Sequence, residues 1–323
     1  MGKNRLFPAL ILSLVLAIIL LIAFMNYDSS AAKKVDQIHV IIDNSSDNRW
    51  TQFTAGMQQA AEDQNVKLMI VPTGTLMSPA EEKSLFSKSI ADGADGVILQ
   101  LCADTDAGNI MDGMYSAVPV ELVDAGNEDL ISSVAGIVAP DHEAIGADLA
   151  MEAVRFADHP VQSCRIAVLL ENSRLTSMQL RLQGFRQALA EYGGTVDWCL
   201  EQTSDPRELR GQLEEQPVPD ILVALDNRSL EAAGEYAAAL RTPVTVVGTG
   251  ISAKAIYYRD SGIVRSLVVP EEFMMGYQSV YDLAERLHRV TDTAKIRKIQ
   301  HRIIHRDQLF LEENQEILFP IQR

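Results

Sequence analysis

Few residues in this chain have the type and spacing for covalent or metal chemistry. His301 and His305 stand four apart in IQHRIIHRDQLF, a spacing that on a helix would put two imidazole ligands on one face. The segment instead alternates like an edge strand, and the two rings are expected to point apart. The glycines of VVGTGIS (246–252) lack the lysine of a phosphate loop, and neither GxSxG nor HExxH occurs. Cys102, Cys164 and Cys199 form no CxxC and no pairing pattern, so they read as buried small hydrophobes. With no nucleophile–base pair and no metal set, the chain is expected to be no enzyme and to carry no metal and no cofactor. A hydrolase or transferase on a doubly wound fold is the remote alternative. What stands out is the polar loop SSDNRW (45–50). It carries Trp50, one of two tryptophans, between the apolar run IHVII and the helix-like TQFTAGMQQAAEDQ.

The elements that position this loop alternate short β-branched runs with helical segments, the signature of an α/β fold. Strands are expected at 38–42, 66–71, 95–101, 118–123, 164–170, 195–200, 220–225 and 242–248. Helices are expected at TQFTAGMQQAAEDQ, MQLRLQGFRQALAEYG and SLEAAGEYAAALR. Continuous apolar strands are buried on both faces and imply parallel sheets covered by helices. The order strand, polar loop, helix with Gly then Ala, and second strand occurs twice. Gly56 and Ala60 stand 128 residues before Gly184 and Ala188. Two similar lobes in tandem explain the echo, with Gly and Ala expected to let each helix pack closely on its sheet. Ligands of such sheets bind beyond the carboxyl ends of the strands, which puts SSDNRW at the mouth of an interlobe cleft.

Composition sets the outer bounds. The chain's 323 residues, 47% hydrophobic and 22% charged, are ample for two folded lobes. A formal charge of −16 repels phosphate backbones and excludes nucleic acid as a partner, the one short basic run being AKIRKIQHRIIHR from Ala294. Residues 6–25 carry no charge over a length that matches roughly 30 Å of hydrocarbon, with Lys3 and Arg5 before them. The expectation is one N-terminal transmembrane helix, cytoplasmic at its start, with the body outside the cell. A cleaved signal ending near Ser30-Ala31-Ala32, and hence a secreted body, is the alternative.

RLQGFRQALAEYGG, ADGVILQL, VPVELVDAG, APDHEAIGADLA, DILVALDNRSLEAA, TPVTVVG and VVPEEFMMGYQSV resemble, in order and spacing, the type I periplasmic binding protein superfamily. That superfamily contains ribose- and galactose-binding proteins and lactose-repressor-like effector domains. The resemblance runs from about residue 36 to about 310. It implies two Rossmann-like lobes with parallel sheets, joined by crossings near Ala139, 264–268 and Ile299. The boundaries are 1–35 for cytoplasmic stub, anchor and linker, 36–139 with about 268–298 for the first lobe, and 140–267 with about 299–323 for the second.

The resemblance also implies the site. Asp47, Arg49 and Trp50 occupy the places that bring polar and aromatic groups onto a sugar. Arg181 matches the arginine that reaches the ligand from the second lobe, and Asp124 and Asp226 match polar residues at strand ends. Either aspartate could instead cap the following helix. His142 lies near a crossing and Thr249 after a strand, as further ligand-facing candidates. The departures thin the clamp: Ala125 stands where the family has Arg, Thr249 and Gly250 replace an aromatic and a carboxylate, Val268 replaces a hinge Gln, and the second-lobe aromatic falls near Pro206. The implied function is capture of a sugar or polyol for an ABC permease. The alternative is ligand sensing with a membrane histidine kinase or another receptor.

Overall fold

The computed structural model describes residues 35–45, 50–74, 78–104, 117–202, 206–288 and 293–318, together with Leu14, Ala17 and Ile18. The chain divides into two compact units, Met1–Val35 and Asp36–Arg323. Of the first unit only the three helical residues and Val35 are described, so all but three residues of the expected membrane span lie outside the described residues. Among the described residues no helix is long and apolar enough to cross a membrane.

The body is built on two six-stranded sheets. In the first, β1 (Gln37–Ile41), β2 (Lys67–Ile70), β3 (Gly96–Leu99), β4 (Val120–Val123) and β5 (Gly136–Pro140) lie in the order β5-β4-β3-β1-β2. In the second, β6 (Ile166–Leu170), β7 (Val196–Glu201), β8 (Ile221–Ala224), β9 (Thr245–Gly248) and β10 (Val264–Pro270) repeat the order as β10-β9-β8-β6-β7. β11 (Lys295–Ile299) adds parallel to β5, and β12 (His301–Ile304) adds antiparallel to β10. The central strands are buried along their whole length, as in β3, β4, β6 and β8, because helices cover both faces.

Helices α1 (Thr51–Gln64) and α2 (Pro79–Ala91) belong to the first lobe. α3 (His142–Arg155), α4 (Thr176–Glu191), α5 (Pro206–Glu215), α6 (Asn227–Ala239) and α7 (Ala253–Asp260) belong to the second. α8 (Glu272–Leu287) returns to the first lobe, and α9 (Glu312–Leu318) closes the described chain. The chain crosses between lobes after Pro140, after Pro270 and at Gln300, and the Glu271 amide donates to Gln300 O at 2.9 Å, tying two crossings together.

The echoed glycines serve helix–helix contacts rather than the helix–sheet contacts expected from sequence. A Cβ on Gly56 would lie 2.0 Å from Phe273 O of α8, and one on Gly276 would lie 2.0 Å from Phe53 O of α1. The second lobe repeats this: a Cβ on Gly184 of α4 would lie 2.1 Å from Glu143 O, and one on Gly146 of α3 would lie 2.0 Å from Arg181 O. Backbones this close have no room for a side chain. The strand reading of His301 and His305 also needs one correction. A period of two puts residues four apart on the same side, and both rings reach α3, His301 Nε2 to Asp148 Oδ2 and His305 Nε2 to Glu152 Oε2, each at 2.6 Å.

Candidate ligand site between the lobes

The α3–α4 glycine contact brings the first residue of α3 beside the second turn of α4. Arg181 is buried, and each part of its guanidinium has a different acceptor. Nε donates to His142 Nδ1 at 3.2 Å, Nη1 to Leu225 O at the end of β8 at 2.7 Å, and Nη2 to Asp124 Oδ1 at 3.4 Å. The last bond crosses from the second lobe to the first. Asp124 holds a left-handed backbone conformation, φ 55°, directly after β4, which is uncommon for a residue with a side chain and clusters at functional sites.

His142 is 3% exposed. Burial, and then the Arg181 charge, hold its pKa well below the ordinary histidine value, so the ring is neutral. Because Nδ1 accepts from Arg181, the proton sits on Nε2, which lies 3.9 Å from Asp124 Oδ1. Asp226 follows β8 and caps α6, its Oδ1 accepting from the Ser229 amide and its Oδ2 from the Ser229 hydroxyl, both at 2.8 Å. Burial, and next the Glu171 charge, push its pKa up to about 6, against the pull of the Ser229 bonds and of Arg181. Thr249, after β9, buries an Oγ1 with no hydrogen-bond partner among the described residues.

The remaining expectations for the site fare differently. Asp47 and Arg49 lie outside the described residues. Trp50 is only 5% exposed and packs in the first-lobe core, edge-on to Phe53 with ring centroids 5.3 Å apart. Its Nε1 donates to Asp43 O at 2.8 Å. The ring expected to face a sugar thus lies among first-lobe core side chains, with its indole N–H committed to the Asp43 carbonyl.

Asp104, which sequence reasoning missed, is a principal link between the lobes. It follows β3 in the first lobe, is 1% exposed, and accepts the Thr176 amide at 2.5 Å on Oδ1 and the Asn127 amide at 3.3 Å on Oδ2. Thr176 begins α4, whose own preceding residue, Leu175, supplies no side-chain cap. A carboxylate of one lobe thus sits at the positive end of a helix of the other. Asp104 N donates to Arg174 O at 3.2 Å, and Asn172 Nδ2 donates to Cys102 O at 3.0 Å. A cavity of about 10 Å³ remains beside these contacts, lined in part by Asp104, Asp124, Leu175 and Ser177. That is room for about one water.

Two lobes with repeated topology, three crossings, and polar strand ends meeting across a cleft define a two-lobed ligand-binding protein. The chain matches the family model for the periplasmic binding protein domain over residues 38–288, and it belongs to that family, one of binding proteins. It is similar in structure to a carbohydrate transporter solute-binding protein from Agrobacterium radiobacter in complex with D-arabinose, at TM-score 0.79 and 14% identity, covering 89% of this chain and 100% of that one. It is similar also to GanP, a glucose-galactose binding protein from Geobacillus stearothermophilus, at TM-score 0.75 and 17% identity, covering 86% and 100%. A third neighbour is the XylFII–LytSN complex, at TM-score 0.73 and 16% identity, covering 85% and 99%. No curated protein matches the chain in sequence.

Proposed function

We propose that the chain is an extracytoplasmic solute-binding protein that captures a sugar or polyol between its lobes. In this reading the apolar run at 6–25 holds it in the cell membrane with the body outside. The observation that carries the reading is the convergence of Arg181, Asp124 and His142 across the lobe boundary, with Asp226 and Thr249 at neighbouring strand ends. Fixed donors and acceptors of this kind match the alternating donors and acceptors of a polyhydroxy ligand. Asp47 and Arg49 would complete the site from the first lobe. Structural neighbours whose names or bound ligands are sugars support the same class. Delivery to an ABC permease is the first role proposed.

A second reading, sensing, is favoured by the ties between lobes. Asp104–Thr176 and Arg181–Asp124 join the lobes through protein groups alone, so a closed shape is stabilised by the chain itself and can be read by a protein partner. A neighbour found in a two-protein complex is consistent with such a partner. Thermal-shift screening against pentoses, hexoses, polyols, furanosides and nucleosides tests the shared claim: a saturating rise in Tm with one of these is expected, and no rise with any of them contradicts it. Deleting the gene then separates the roles. Loss of sugar uptake supports delivery, whereas intact uptake with a lost transcriptional response to the sugar supports sensing.

A further inference from the structure

The second lobe has an open cavity of about 680 Å³ at the end away from the interlobe cleft. It lies at the start of β10, the ends of α3 and α7, and the turn after β12. In a parallel sheet these are amino ends of strands, opposite the carboxyl ends where Asp226 and Thr249 stand. Four arginines line it, Arg155, Arg259, Arg265 and Arg306, against two carboxylates, Asp260 and Asp307. The whole chain carries a formal charge of −16, so a local excess of cations is unusual within it.

Arg259 forms the floor. It is 4% exposed, with Nε donating to Ile304 O at 3.4 Å and Nη1 to Val264 O at 3.0 Å. These bonds fix the guanidinium plane, and Nη2 has no protein acceptor among the described residues. Burial, and then the nearby charge of Arg306, bring its pKa down to about 10, with Arg265 acting in the same direction and Asp307 and Glu152 opposing. A buried cation crowded by like charges is a site that gains when an anion arrives. On the wall, the Arg155 guanidinium sits 5.7 Å from the centroid of the Phe156 ring, and Phe156 packs edge-on to His305. Glu152 behind this wall is engaged by His305 at 2.6 Å and by Arg155 at 3.5 Å. Counting it, four arginines still exceed three carboxylates. Phe310, 62% exposed, adds an apolar edge.

We propose that this cavity binds a small organic oxyanion, bearing phosphate or carboxylate groups beside an apolar portion. Its volume falls in the range of about 300–1,000 Å³ typical of small-molecule sites, which favours a small anion over a flat docking face for an acidic protein. Guanidinium groups hold phosphate and carboxylate oxygens through paired N–H donors, and an aromatic wall accommodates the apolar part. Nothing in this site is shared with the Arg181–Asp124 contact between the lobes.

The test is isothermal titration of the full chain in detergent with pyrophosphate, with citrate and with phenyl phosphate, each against sodium chloride at matched ionic strength. The pyrophosphate and citrate arms separate phosphate from carboxylate preference. Saturable one-site binding of at least one probe is expected, weakened at least tenfold in R265E/R306E, whose substituted side chains are exposed in the parent. The unfolding curve of the double variant and its response to sugars should be unchanged. Absence of saturable binding by all three probes, or equal affinity in R265E/R306E, overturns the proposal.

Discussion

At the residue scale, the cleft holds ionisable groups whose surroundings set their charge. Asp226 titrates at about 6 in the folded chain and near the ordinary carboxylate value of 3.8 when unfolded. Between those values the folded state binds more protons, so the stability contributed by this group is full below about pH 4 and is lost as pH rises through about 6. Asp226→Asn keeps a good helix cap and removes the titration. The difference in unfolding free energy, variant minus parent, is therefore expected to grow in the variant's favour from pH 4 to pH 7 in urea titrations. A flat difference contradicts it. Trp50 makes a different kind of statement. A buried ring in the first-lobe core predicts that Trp50→Ala costs about 3–5 kcal/mol of stability. Denaturant melts of the variant measure this, and a change below about 1 kcal/mol contradicts it. The sequence showed that Trp50 begins a helix at the cleft's edge but not which way its ring turns, since that depends on Asp43 O and on core neighbours brought in from other strands.

At the element scale, the α3–α4 crossing positions the site. Gly184 and Gly146 let the helix backbones touch, and that contact is what sets His142 against Arg181. Gly184→Ala would place a Cβ 2.1 Å from Glu143 O, so the helices must part. The expected result is a loss of about 1–3 kcal/mol in stability together with weakened sugar binding, read by urea melts and by titration. Asp104 acts at the same scale. Asp104→Asn keeps an acceptor but removes the charge from the α4 terminus, and Asp104→Ala removes both. A cost of about 0.5–2 kcal/mol is expected for Ala, with Asn losing less, in melts of the two variants. The eight strands expected from sequence all exist, with boundaries mostly within two residues, because their apolar runs are continuous and bounded by polar turns. β5, β10 and β11 were not legible: β5 (GIVAP) and β10 (VRSLVVP) each end on a proline, and β11 (KIRKI) alternates basic and apolar residues instead of running continuously apolar. Asp104 was not legible either: its partner Thr176 lies 72 residues away in the other lobe, and no local pattern marks a cap made across a cleft.

At the scale of the whole molecule, the repeat read from sequence is the repeat in the structure. Each lobe has the same strand order, and in each a glycine-to-glycine helix crossing involves the first helix of the echoed segment. Across the cleft, among the described residues, the lobes are tied by hydrogen bonds at Asp104, Asn172 and Arg181, and Gly126 lies so close to the start of α4 that a Cβ on it would sit 2.3 Å from Ser177 N. Ligand capture by that cleft is the central claim, and isothermal titration of the full chain with D-arabinose, D-galactose and D-xylose, repeated with Arg181→Lys, tests it most directly. Arg181→Lys keeps the charge but cannot serve His142, Leu225 O and Asp124 at once. Saturable one-site binding of at least one sugar by the parent, weakened tenfold or more in a folded Arg181→Lys variant, is the predicted result. No heat of binding with any of the three, or full affinity in the variant, would contradict it.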